Sequence, residues 1–180
     1  MYYLLLLCAI VSCRPNADAA EVKQPAQRIV ATAVPNDPRG SLSIDPELFP
    51  LVDKFESIWG NKIKTPIWFS FALPKNVLAL CHTFTRSDGL VLTEIIVARE
   101  AFKPATTQAE ITIFHELGHC ELKRGHDQSL ARTEDGKFVA FSIMYPTVID
   151  DDDYEKYLDH YMLELFSRGT LLIRYDGDDD

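Results

Sequence analysis

The sequence has no apolar run long enough to cross a lipid bilayer. A membrane-spanning helix needs about 20 consecutive apolar residues, and the most apolar stretch of this chain begins at Met1 and already ends at Cys13. The sequence therefore does not predict a transmembrane protein.

Basic residues are also scarce. The chain has 18 lysines and arginines against 27 aspartates and glutamates, which gives a formal net charge of −9. No basic stripe is present to neutralise phosphates, so we expect no nucleic acid partner. We see no internal repeat, and residues 41–180 are enough for one domain with its own core, which we expect to be a monomer.

Cysteines are few, and two of the four lie in the N-terminal apolar run. Residues 1–12 have the apolar centre of an export signal, although no basic residue precedes it. The segment Ile10-Val11-Ser12-Cys13 resembles a bacterial lipobox, in which the cysteine is acylated and becomes the new N-terminus. The resemblance implies a lipoprotein signal peptide and a lipid anchor at Cys13. Because Arg14 follows, it also implies the outer membrane of the bacterial cell envelope. A plain signal peptide and a buried apolar segment are the alternatives.

Residues 13–40 are rich in proline and alanine and show little apolar periodicity. This composition predicts a lipidated N-terminus followed by a tether that joins the membrane to the folded domain. An arm packed on the domain is the alternative, since Arg28–Val34 could form a short strand.

The other two cysteines are Cys81 and Cys120. Outside the cytosol a disulfide between them is permitted. Two free buried thiols are the alternative, because a sequence does not give the distance between two Cα atoms.

The residues with the clearest chemistry are His115-Glu116-Leu117-Gly118-His119, within a predicted helix over residues 107–122. Two histidines four residues apart lie on one helix face and can bind one metal ion, and Glu116 can act as general base toward water. His126 is a candidate third ligand, and we expect Gly125 to let the chain turn back toward the metal.

A second motif follows at Ser142-Ile143-Met144-Tyr145-Pro146. Together with the histidine motif it resembles the Met-turn of the metzincin metallopeptidases, in its matrixin form. The resemblance implies an α+β fold, in which a twisted mixed sheet packs on the active-site helix and a C-terminal helix follows. It implies one catalytic Zn²⁺ on the three histidines, Met144 as a hydrophobic floor, and a substrate pocket lined by Tyr145, Pro146 and Thr147.

The spacing departs from the usual metzincin motif. Six residues separate His119 from His126, as in the archaemetzincins, and Lys123 stands where the usual motif has glycine. Two other residues are therefore alternative third ligands. One is Asp127. The other is Glu155, because residues 155–159 resemble the E-x-x-x-D helix of the gluzincins.

The predicted function is a membrane-anchored, zinc-dependent endopeptidase that acts on a peptide or protein substrate. The alternative from a different class is a non-catalytic surface lipoprotein with a structural zinc, serving as an interaction or adhesion module. Glu116 favours the enzyme, because a purely structural zinc site has no need of a carboxylate there.

The remaining elements are predicted from periodicity and turn residues. We expect a helix over residues 45–59, capped by Asp45, with Pro50 as an alternative start. Strands are expected over residues 63–73, 77–86 and 90–98, with a hairpin turn between the last two. The strand over residues 90–98 could be the edge strand that binds substrate or an interior strand. Residues 150–153 are expected to cap a final helix that continues to residue 168. His160 lies in this helix and is expected to be a surface or packing residue. Residues 171–175 could form a last strand.

Overall fold

The computed structural model describes residues 43–167 and 174–175. Those residues form a mixed α/β fold with four α-helices and two three-stranded sheets, which agrees with the predicted α+β class. Within them, no helix combines the length and the apolar character needed to cross a membrane. The predicted signal peptide, Cys13, the tether and the possible strand over residues 28–34 lie outside the described residues.

The first predicted helix consists of two pieces. Asp45 caps a 3₁₀ turn over Pro46–Leu48, accepting a hydrogen bond from the Glu47 N–H. Helix α1 then covers Phe49–Trp59, with Pro50 in its first turn and Gly60 closing it at a φ of 76°. The alternative start at Pro50 is therefore confirmed, since proline is favoured in the first turn of a helix and disfavoured further in.

The first sheet has the strand order β1-β3-β2, where β1 is Ile67–Ser70, β2 is Ala79–Thr85 and β3 is Val91–Ala98. Strands β1 and β3 run parallel and β2 and β3 antiparallel, so the sheet is mixed, as predicted. The predicted hairpin turn is also present, with Gly89 at a φ of 83°.

Of the two alternatives for residues 90–98, the structure has the interior strand. The hairpin returns β3 into the position between β1 and β2, so both sides of β3 are paired. In the part of the chain that the structure describes, the edge strand that packs beside the helix of the histidine motif is β2.

Helix α2 covers Thr107–Cys120 and lies at the centre of the fold. The Thr106 hydroxyl caps it by accepting a hydrogen bond from the Ala109 N–H. The helix packs on β2 and β3 on one side and on α1 on the other, where the rings of Phe55 and Phe114 meet edge to face at 5.2 Å. Because the helix is buried on more than one side, apolar residues occur around most of its circumference.

A disulfide joins β2 to the end of α2. Cys81 and Cys120 are bonded, with their Cα atoms 5.7 Å apart. Of the two alternatives left open by the sequence, the structure therefore has the bonded pair. The bond fixes the edge strand against the last turn of the central helix.

We expect this disulfide to contribute strongly to stability. The two cysteines are 39 residues apart in sequence, and closing a loop of that length removes about 4 kcal/mol of unfolded-state entropy. The Cys81→Ala/Cys120→Ala double variant should lose about that much free energy of unfolding in urea. Dithiothreitol should destabilise the unmodified protein similarly and leave the double variant unchanged. A loss below about 1 kcal/mol would contradict the entropic role.

A second sheet follows the histidine motif, with the strand order β5-β4-β6. Strand β4 is Leu130–Arg132, β5 is Phe138–Ala140 and β6 is Arg174–Tyr175. Residues 171–173 of the predicted last strand lie outside the described residues.

The sequence predicts a single C-terminal helix. That prediction is wrong in one respect, because the structure has two helices separated by one residue. Helix α3 covers Asp151–Lys156 and α4 covers Leu158–Ser167, with Tyr157 between them at φ −114° and ψ 23°. In an unbroken helix, residues seven apart are separated by about 10 Å along the axis. The break lets Tyr154 and Tyr161 stack at 5.6 Å between ring centroids.

Candidate metal centre

His115 and His119 lie on the same face of helix α2, because residues four apart in a helix are neighbours on its surface. The Nδ1 atom of His115 is 2.8 Å from the Ile143 carbonyl oxygen, and that of His119 is 2.7 Å from the Arg124 carbonyl oxygen. A carbonyl oxygen only accepts hydrogen bonds, so each Nδ1 carries the proton and donates it. The Nε2 atom of each ring is left with a free lone pair.

These two lone pairs face each other. The Nε2 atoms of His115 and His119 are 3.0 Å apart. Burial lowers the pKa of His115 to about 4, and it also lowers the pKa of His119. A shared proton is therefore disfavoured at neutral pH, and a bound cation is the natural way to relieve the repulsion between the two nitrogens.

His126 completes the group. It is exposed, and its ligand atom and those of His115 and His119 all lie within 4.8 Å of one another. Three nitrogens on one tetrahedral ion lie about 3.4 Å apart if each metal–nitrogen bond is about 2.1 Å long. His115, His119 and His126 could thus hold one metal ion.

The chain turns toward His126 at a different residue from the one expected. Lys123, not Gly125, adopts the left-handed conformation, with a φ of 56°. Residues other than glycine rarely adopt this left-handed conformation. At the same position, the Lys123 ammonium donates a hydrogen bond to the Cys120 carbonyl oxygen at the end of α2, at 2.6 Å. The turn therefore falls at Lys123, three residues before His126.

Glu116 of helix α2 lies beside β2, at the edge of that strand that has no strand partner among the described residues. Its buried carboxylate accepts a hydrogen bond of 2.6 Å from the Cys81 backbone N–H. Burial raises the pKa of Glu116 to about 7, and the hydrogen bond from Cys81 opposes that rise. A carboxyl group with such a pKa can both take and give a proton near neutral pH.

Met144 is fully buried against the same helix. A Cβ atom added to Gly118 would lie 2.4 Å from the Met144 Sδ and 3.4 Å from a Leu165 methyl carbon. Gly118 therefore gives the methionine room to pack on the backbone of α2 between the two histidines.

We expect Gly118→Ala to destabilise the protein although alanine favours helix. Overpacking a core costs about 1–3 kcal/mol, and replacing a helical glycine returns up to about 1 kcal/mol. The net loss of unfolding free energy, measured in urea, should reach up to about 2 kcal/mol. Gly125→Ala is the control, because a Cβ there meets nothing within 4 Å. Equal stability of the two variants would contradict the close packing of Met144.

The other predicted site residues are placed as follows. Tyr145 is half-buried, and Pro146 and Thr147 are exposed, directly after Met144. The Asp127 carboxylate accepts hydrogen bonds from the backbone and side chain of Ser129 and is not part of the metal-binding group.

Two further predictions concern the C-terminal helices. Glu155 accepts a hydrogen bond from Thr107 in the first turn of α2, about 12 Å along the axis from His115. It is therefore remote from the metal-binding group. His160 is buried, with Nε2 2.6 Å from the Phe141 carbonyl oxygen, and is a packing residue.

Three residues around the site were not identified from the sequence: Ser142 as a hydrogen-bonding residue, Arg124 and Glu164. Glu164 lies in α4 and is buried, with hydrogen bonds to both of the others. One signal was available, because Glu164 falls three residues after Tyr161 and so interrupts the apolar stripe of its helix.

No protein-family model, no curated protein and no solved structure matches the chain. Functional conclusions therefore depend on the residues of the site.

Proposed function

We propose that the protein is a zinc-dependent endopeptidase of metzincin-like type. The observation that carries the proposal is the pair of Nε2 lone pairs of His115 and His119, 3.0 Å apart beside His126 and a buried Glu116. Three imidazole ligands suit Zn²⁺, and three protein ligands leave a fourth position open, as in catalytic zinc sites.

The residues of the chain have separate tasks in this proposal. The three histidines hold the metal, which when bound polarises a carbonyl group and lowers the pKa of a water molecule. Glu116 takes the proton of the attacking water on its carboxylate and gives it to the leaving amine. The hydrogen bond from the Cys81 N–H fixes the orientation of that carboxylate.

The edge of β2 that is unpaired in the described part of the chain is suited to bind the substrate. An extended peptide can add to an exposed sheet edge through backbone hydrogen bonds, and the Cys81 N–H of this edge already reaches Glu116. A peptide paired with β2 would therefore run past the general base. The residues after Met144, namely the half-buried Tyr145 and the exposed Pro146 and Thr147, would form the wall of a side-chain pocket.

The test is to incubate the zinc-loaded protein with a diverse peptide pool and to read new termini by mass spectrometry. We expect cleavage that disappears when a chelator removes the metal and returns when zinc is restored. The residues flanking the new termini would define the side chain that the pocket prefers. Full zinc occupancy with no new termini would contradict the proposal and favour the non-catalytic interaction module.

A further inference from the structure

We propose that Glu164 is a positioning residue for the metal centre, holding the segments that orient His115 and His119 and that adjoin His126, without touching the metal itself. This inference rests on the proposed metal site. Glu164 lies in α4 and is 5% exposed, and its carboxylate binds two segments that are 18 residues apart in sequence, at Arg124 and Ser142.

The hydrogen bonds of Glu164 form a network with two arms, and the first arm leads through Arg124 to His119. The Glu164 carboxylate receives a hydrogen bond from the Arg124 guanidinium. The same guanidinium donates to the backbone carbonyls of Glu164 and Leu165 in α4, at 3.0 and 3.3 Å. The Arg124 carbonyl oxygen in turn accepts from the Nδ1 of His119 at 2.7 Å. The orientation of His119 thus depends on where Arg124 is held.

The second arm leads to His115. The Ser142 hydroxyl donates to the other oxygen of Glu164 at 2.6 Å and accepts from the Met144 N–H at 3.0 Å. These bonds fix the turn in which Ile143 lies. The Ile143 carbonyl oxygen accepts from the Nδ1 of His115 at 2.8 Å.

The same turn also reaches the segment of His126. The Met144 carbonyl oxygen accepts a hydrogen bond from the Asp127 N–H at 3.0 Å. Glu164 therefore bonds both to the Arg124 segment and to the turn. Those two segments supply the backbone partners of the His115 and His119 rings and the partner of the Asp127 N–H, next to His126. Residues that orient metal ligands typically change metal affinity by about 10- to 100-fold when mutated.

The experiment compares Glu164→Gln with Glu56→Gln. Glu56 is a matched control, because it is also a buried glutamate, 4% exposed, and binds Lys62 and the Ile63 N–H away from the histidines. Zinc affinity is measured by competition with a chromophoric chelator, and the geometry of the site by the visible spectrum of the cobalt-substituted protein. We expect Glu164→Gln to bind zinc about 10- to 100-fold more weakly with a changed cobalt spectrum, and Glu56→Gln to match the unmodified protein in both.

Equal zinc affinity and equal cobalt spectra in the two variants would overturn the proposal, whatever their stabilities. If Glu164→Gln does not fold, Ser142→Ala decides, because it removes the second arm alone. Weaker zinc binding by that variant supports the positioning role, and unchanged binding overturns it. If the unmodified protein binds no zinc, the metal centre itself is wrong and this inference falls with it.

Discussion

Glu116→Gln is expected to lower kcat for peptide cleavage by about 10²- to 10⁴-fold, the range that a positioned general base contributes. Glutamine has nearly the same shape and its amide oxygen can still accept the hydrogen bond from the Cys81 N–H. It cannot accept a proton from water near neutral pH. The fold and the zinc content should therefore remain while the chemical step is lost. The measurement is kcat on a cleaved peptide at equal zinc occupancy.

Glu110→Gln is the control for that variant. Glu110 lies on the same helix, but its carboxylate binds Lys54 and the Tyr154 hydroxyl instead of the edge strand. We expect its kcat to equal that of the unmodified protein. If Glu116→Gln retains full activity, Glu116 is not the general base.

His119→Ala is expected to have the largest effect on metal binding. It removes one of three ligands, so zinc affinity should fall by more than about 100-fold, the upper figure for residues that only orient a ligand. Peptide cleavage should fall in parallel at limiting zinc and recover partly at high zinc. Isothermal titration calorimetry gives the affinity and stoichiometry directly.

His82→Ala is the matched control for the ligand variant. His82 is exposed on β2, where its Nδ1 is 3.3 Å from a Glu94 carboxylate oxygen, and it is not part of the metal-binding group. It should bind one zinc ion with unchanged affinity. Comparable losses in both variants would mean that zinc binds histidines at the surface rather than the group formed by His115, His119 and His126.

Much of the candidate site could be predicted, because its histidines and Glu116 lie close together in the sequence. Helical periodicity alone places His115 and His119 on one face, and three of the five histidines of the chain fall within one short stretch. The hydrogen bonds of Glu164 could not be predicted in the same way, because they join segments that are 22 and 40 residues away in the chain. The lipid anchor at Cys13 stays a prediction, since that residue lies outside the described part of the chain.

The fold was predictable where apolar periodicity was strong and less so where tertiary contacts decide. The hairpin of β2 and β3 follows from alternation and a turn with Gly89. The position of β3 in the middle of the sheet does not, because strand order depends on which strands pair and not on local propensity. The break at Tyr157 could not be predicted either. It accompanies the stacking of Tyr154 on Tyr161, which is a contact between two helices, and no local sequence signal marks the break.

The central claim is that the three histidines hold a metal ion that keeps one position open beside Glu116. X-ray absorption at the zinc edge, with and without a hydroxamate inhibitor, tests this most directly. The account predicts three imidazole ligands that persist and a fourth, non-protein ligand that the hydroxamate replaces. Four protein ligands that the hydroxamate leaves unchanged would contradict it and identify a structural zinc site.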